Sequence, residues 1–140
     1  MIVAMLSLAG IFVALYLLLY KLGMIGELSC SVGSCETVNT SKWATFLGLP
    51  VAGWGVAWYV GMFVLAVVST GERFVESRTV SLVLLLVATT GLLFSLYLTW
   101  LELFRIHAIC QWCVVSAIIV TIIFFVCAAD YRDSLRTSAA

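Results

Sequence analysis

The sequence predicts an all-α fold, an integral membrane four-helix bundle with a long extracytoplasmic loop between helices 1 and 2. Two observations carry that class. Of 140 residues, 64% are hydrophobic and 10% charged, with a mean hydropathy of +1.21, and a soluble domain this short cannot hide so much apolar surface from water. The charges also divide the chain into uncharged runs of 20, 29, 23 and 24 residues: Met1 to Tyr20, Trp43 to Gly71, Thr79 to Leu101 and Ile106 to Ala129. A helix rising about 1.5 Å per residue needs roughly 20 residues to cross the hydrocarbon, so each run spans once. The chain therefore reads as a single membrane domain over 1–140, with spans at about 2–22, 50–70, 79–101 and 106–129, a loop at 23–49 and a cytoplasmic tail at 130–140. Net charge is zero and the basic residues are scattered. The electrostatic footprint of a nucleic-acid binder is missing, and membrane lipid is the expected surrounding.

The first run lacks a basic segment before it, and Lys21-Leu22-Gly23-Met24 is not a small-residue cleavage site. It is expected to be a span rather than a removed signal. The long connection carries Gly23, Gly26, Cys30, Cys35, Asn39, Ser41 and Lys42. Its second half, Glu36 to Leu47, is expected to form a short helix stopped by Gly48, with Val38, Trp43 and Phe46 towards the membrane surface. Pro50 suits the first turn of helix 2, where its missing N–H has no intrahelical partner anyway. Gly53, Ala57 and Gly61 follow at four-residue spacing, which reads either as a small-residue row that lets a neighbouring helix approach and places helix 2 centrally, or as the ordinary tolerance of membrane helices for glycine.

Four crossings put both termini and the short connection Glu72 to Arg78 on one side, so the long loop and the turn at Arg105 share the other. Both cysteine pairs thereby converge on one membrane face. The terminal side carries Arg73, Arg78, Arg132 and Arg136 against Lys21, Lys42 and Arg105, which favours cytoplasmic termini. Thiols that cycle through disulfides also belong in an oxidising compartment. Both arguments point to a cell membrane with the cysteines outside the cytoplasm. Trp43, Trp54, Trp58, Trp100 and Trp112 all fall near that face. An aromatic belt normally occupies both interfaces, so one-sided tryptophans, Trp54 and Trp58 among them, also suggest the wall of a ligand pocket.

Cys110-Gln111-Trp112-Cys113 sets two thiols at i and i+3 on one helical face, within disulfide reach. A helix start stabilises a thiolate, so Cys110 should be the exchange-reactive member. Cys113, a turn deeper, should meet a hydrophobic electron acceptor. Cys30 and Cys35 sit in a polar, glycine-containing loop that can move between an external protein and the fixed pair. Four thiolates could instead hold zinc, or the pairs could be inert disulfides. The four-residue spacing of the first pair and the missing glycine-rich knuckle speak against zinc, and no metal is expected. Cys127 lies in an apolar stretch and reads as a small hydrophobe. His107 could share a face with Cys110 and favour its thiolate when charged, or be a plain interfacial histidine. Glu102 and Arg105 could pair at the surface or steer a partner. Asn39-Thr40-Ser41 matches a glycosylation sequon, a pattern common by chance.

These residues resemble the small prokaryotic members of the vitamin K epoxide reductase family, bacterial homologues without a fused thioredoxin-like domain, over nearly the whole chain. The specific parts are Cys30-x4-Cys35 followed six residues later by Ser41, then Gly48-Leu49-Pro50 leading into helix 2, and Ile106 to Cys113 opening helix 4. The resemblance implies a bundle around a quinone, ubiquinone or menaquinone, with Cys110 and Cys113 as the active-site pair and Cys30 and Cys35 as the shuttle. It implies that Cys35 bonds to Cys110 during transfer, and that Ser41 lies beside the active pair as a hydrogen-bond donor to thiolate or quinone. It also implies a separate thioredoxin-like, DsbA-like disulfide-forming protein as thiol partner. Where the vertebrate enzymes hold the vitamin K head group with asparagine and tyrosine, this chain has Val51 and Ala117, which argues against epoxide reduction. A second quinone-coupled thiol oxidase family places its CxxC in the first external loop, unlike the late Cys110 to Cys113 motif here.

Overall fold

The computed structural model describes every residue except Arg73, Val75, Glu76 and Ala140. Arg73, counted above among the terminal-side charges, and the last residue of the tail therefore lie outside the described residues. Among the described residues, four helices are long and apolar enough to cross a membrane: α1 (Ile2–Lys21), α3 (Val51–Val68), α4 (Arg78–Leu101) and α5 (Gln111–Ala139). A short α2 (Cys35–Thr40) lies in the long loop. α1 packs against both α3 and α5, and α4 packs against α5, whereas α3 and α4 meet much less closely.

That opening between α3 and α4 corrects the expected central position of helix 2. Ala57 and Gly61 are exposed, and no atom lies within 4 Å of where a Gly61 side chain would begin. The contact with α1 uses Gly53, whose Cβ would sit 3.7 Å from Leu18 Cδ1, together with Gly55, whose Cβ would sit 3.5 Å from that of Ala14. Two glycines on other helices do allow close approach. A side chain at Gly10 would overlap the Tyr59 ring, and one at Gly91 would overlap the Trp58 indole. Large aromatics from α3 thus lie in notches on α1 and α4, holding α3 in place without drawing its backbone onto α4. Tyr59, Met62, Ala88, Ile123 and Cys127 form the buried core below them, so Cys127 is packed as a small apolar residue.

The loop differs from the single helix expected over Glu36 to Leu47. Ser41 is extended (φ −65°, ψ 156°) and ends α2. A single 3₁₀ turn, Lys42–Ala44, leads into a small antiparallel hairpin, β1 (Thr45–Phe46) and β2 (Leu49–Pro50). Leu47 and Gly48 form its tip at φ 53° and 79°. Gly48 therefore turns a hairpin, for which paired positive φ values are needed, instead of capping a helix. Pro50 caps α3, which begins at Val51.

The junction after α4 also departs from expectation. Helix α4 runs on through one wide π-type turn, Glu102–Ile106, with the Ala108 N–H bonded to the Glu102 carbonyl at 3.2 Å. His107 then adopts a left-handed conformation, φ 54°, and stops the helix, so α5 starts at Gln111 instead of about residue 106. At the other end, α5 continues to Ala139 through the stretch expected as a tail. No glycine or proline interrupts residues 111–139, and charge alone does not end a helix.

Candidate functional site

The first half of the long loop is fastened across the start of α5. The Ser34 N–H donates to the Ile109 carbonyl at 2.8 Å, and Gly33 forms an antiparallel bridge with Cys110. The Ser31 and Val32 N–H groups both donate to Gln111 Oε1, at 3.0 and 3.2 Å. Trp112 Nε1 donates to the Ser29 carbonyl at 2.8 Å, and the Ser29 N–H donates to the Tyr16 hydroxyl at 2.9 Å. Only glycine suits position 33. Its φ is +92°, and a side chain there would overlap the Ile109 carbonyl oxygen; both features exclude a Cβ. The loop whose cysteines are expected to be able to move is docked in this conformation by hydrogen bonds, because its N–H groups find acceptors on residues 109–111.

This docking brings the four cysteines together. Cys30 and Cys35 are joined by a disulfide, with Cα atoms 6.2 Å apart, and so are not thiolate metal ligands in this state. Cys110 and Cys113 are free. All four belong to one packed cluster, in which Cys35 and Cys110 are inaccessible to solvent, at 1% and 0% exposure, while Cys30 is half-buried. The Asn39 amide donates to the Cys35 carbonyl at 2.9 Å and reaches Cys110 Sγ at 3.9 Å. A hydrogen bond from the Cys113 thiol pushes the Cys110 thiol below its ordinary range. Burial and the neighbouring Glu102 carboxyl oppose this, and the N–H groups of Cys113 and Trp112 assist it. Cys110 immediately precedes α5, as a thiolate favoured by a helix start requires.

Glu102 closes the site from the wide turn. Its Oε2 accepts the Cys110 N–H at 3.2 Å, and its carboxyl faces the Cys113 thiol. The surface pair with Arg105 is not formed: Glu102 is buried, whereas the Arg105 guanidinium lies over the Trp100 ring, 5.8 Å from its centroid. His107 is exposed and serves as the left-handed stop of the preceding turn.

Beneath Cys113 lies a cavity of about 430 Å³ in the gap between α3 and α4. Trp54, Trp58, Tyr59, Asn39, Glu102 and Cys113 all line it. The two α3 tryptophans are pinned through their ring N–H groups, Trp54 to the Phe46 carbonyl at 3.1 Å and Trp58 to the Val87 carbonyl at 3.2 Å. A mostly apolar concavity with a few convergent polar groups is the usual form of a small-molecule site. The sequence model described as the vitamin K epoxide reductase family matches residues 1–128 of this 140-residue chain. The chain belongs to the vitamin K epoxide reductase family. It is accordingly a multi-pass membrane protein and a thiol oxidoreductase.

Within the vitamin K epoxide reductase framework, the geometry refines what the sequence suggested. Trp54 and Trp58 wall the cavity as expected from their one-sidedness, and Trp43 joins them. Trp112 instead holds the loop, and Trp100 stacks with Arg105. Ser41, expected beside the reactive pair, does not line the cavity. Its hydroxyl donates to the Val38 carbonyl at 2.7 Å and finishes α2. The amide beside Cys110 comes from Asn39, two residues earlier. Asn39 is 7% exposed, so its sequon has no room for a glycan. Val51 lines the main cavity, whereas Ala117 lines a smaller one that Cys113 also borders. The sequence reading missed Asn39 and Glu102 as site residues. A carboxylate eight residues before a CxxC, inside an otherwise apolar stretch, was the available signal for the second.

Proposed function

We propose that the protein reoxidises a separate thioredoxin-like, DsbA-like disulfide-forming protein outside the cytoplasm and passes the electrons to a membrane quinone, ubiquinone or menaquinone. The observation that carries this reading is the position of Cys113, which both packs with Cys110 and lines the aromatic cavity. The residues fit such an occupant: the volume lies within the range of small-molecule sites, roughly 300–1,000 Å³, and ring faces of Trp54 and Trp58 suit a flat apolar head group. A bound quinone supplies a two-electron, two-proton acceptor.

The chain's own residues do the rest. A partner thiolate attacks Cys30, the more accessible sulfur of the loop disulfide, and the partner's second thiol resolves the mixed disulfide, leaving Cys30 and Cys35 reduced. Cys35 then attacks Cys110 of the oxidised helix pair, breaking the Cys110–Cys113 bond. Cys30 closes on Cys35, and the two electrons now reside on Cys110 and Cys113. A loop disulfide with both helix cysteines free is the product of this exchange. Docking of residues 29–34 on residues 109–112 supports the direct transfer, since it packs the loop pair against the helix pair. With the termini cytoplasmic, the site faces the exterior of a bacterial cell membrane, and the result is support for disulfide bond formation. The test is partner oxidation coupled to quinone reduction by the detergent-solubilised protein, compared with Cys113→Ala. Loss of turnover in the variant is expected. Full turnover would remove Cys113 from the path, and stoichiometric zinc bound by the four thiols would replace the redox reading altogether.

A further inference from the structure

Among the described residues, Glu102 is the only buried side chain of the Asp, Glu, Lys and Arg classes. An ionisable group within a membrane-spanning helix is costly and marks a functional position unless a partner neutralises it. Among the described residues no cation does so. Arg105, three residues on, is turned to Trp100, and Lys21, which lines the same cavity, donates to the Asn39 carbonyl at 2.7 Å. The neighbours of the carboxyl are the two reactive cysteines: it accepts the Cys110 N–H and faces the Cys113 thiol. It also lines the cavity below them. The wide turn that begins at Glu102 presents it there, and such turns recur at functional sites.

The exchange described above leaves one proton without a route. With Cys110 held towards its thiolate by the Cys113 S–H, the reduced pair carries that proton on Cys113. It must leave as the sulfur–sulfur bond forms. We propose that Glu102 is the proton acceptor for Cys113 and delivers that proton into the cavity. The balance closes. Cys110 thiolate and Cys113 thiol become a disulfide, and two electrons pass to the acceptor. One proton reaches the acceptor through the Glu102 carboxylate and the second comes from water. Only the destination of the proton rests on the quinone reading; its removal from Cys113 by Glu102 holds for any two-electron oxidant.

The experiment follows single-turnover oxidation of the fully folded, reduced protein in detergent, by quinone and separately by the small thiol oxidant diamide. Glu102→Gln keeps an oxygen to accept the Cys110 N–H but cannot take a proton. It is expected to slow oxidation of the Cys110 and Cys113 pair by about 100-fold with either oxidant, in line with the loss of a general base. Glu102→Asp is expected to recover part of the rate. An unchanged rate in Glu102→Gln overturns the proposal, and so does equal slowing in both variants, which would make the residue a structural support. If Glu102→Gln does not fold, a normal solvent deuterium isotope effect on the wild-type oxidation is the expected result and its absence overturns the proposal. Failure of the wild-type protein to reduce quinone, with the diamide comparison intact, would count against the functional reading and leave the role of Glu102 standing.

Discussion

The two cysteine pairs sit against each other yet are held by opposite means. Residues 29–34 are fixed by hydrogen bonds to backbone, glutamine, tryptophan and tyrosine partners, whereas Cys113 projects into an apolar cavity walled by aromatic rings. Polar fastening gives the loop pair a defined place while leaving Cys30 half-buried and reachable. On the proposed function, the apolar enclosure is where the helix pair meets an electron acceptor drawn from lipid. The contrast teaches that alignment and chemistry are assigned to different surfaces of the same cluster, so each can be broken separately.

The largest expected effect separates the pairs by substrate. Cys30→Ala should abolish turnover driven by a thioredoxin-like partner while the already reduced Cys110 and Cys113 pair still passes its electrons to quinone in a single turnover. An unmutated rate with the protein partner would end the shuttle assignment. Next, Gly33→Ala should undock the loop, since a left-handed φ without glycine costs about 1–3 kcal/mol and the new Cβ meets the Ile109 carbonyl oxygen. A lower unfolding temperature and faster alkylation of Cys110 would report it, whereas a silent variant would show that the bridge contributes nothing to alignment.

A pH series sharpens the comparison further. The Cys110 thiol is pushed below its ordinary range, chiefly by the Cys113 hydrogen bond, so its ultraviolet thiolate absorbance should persist as pH falls below the usual cysteine range. Cys113→Ala should move that midpoint upward, and an unmoved midpoint would assign the thiolate to the helix start alone. The smallest effect is expected from Ser41→Ala. Losing its hydrogen bond to Val38 should cost about 1 kcal/mol of stability with the quinone KM unchanged. A raised KM would restore Ser41 to the cavity.

The bundle was legible because lipid imposes long apolar runs, and the convergence of Cys30, Cys35, Cys110 and Cys113 followed from counting crossings. Trp54 and Trp58 were legible from their crowding near one face. Other features carry signals too weak to read. A left-handed His107 or Leu47 has no compositional marker of the kind glycine provides. Asn39 sat in a sequence pattern that suggested a glycan, and Glu102 stood at the right spacing from Arg105 to suggest an ion pair. Only the wide turn decides that the two side chains face apart. The helical end of α5 was hidden by its charges, although the missing glycine and proline were visible.

For the proposed electron path, the complete burial of Cys110 under the Gly33 bridge also acts as insulation. Small cellular thiols that would otherwise short-circuit a disulfide relay meet no open route to its sulfur, because the strap covers the side from which water would reach it. On the proposed path, oxidising equivalents reach only reductants able to engage Cys30, and the selectivity resides in a few hydrogen bonds of the loop instead of in the reactivity of any thiol.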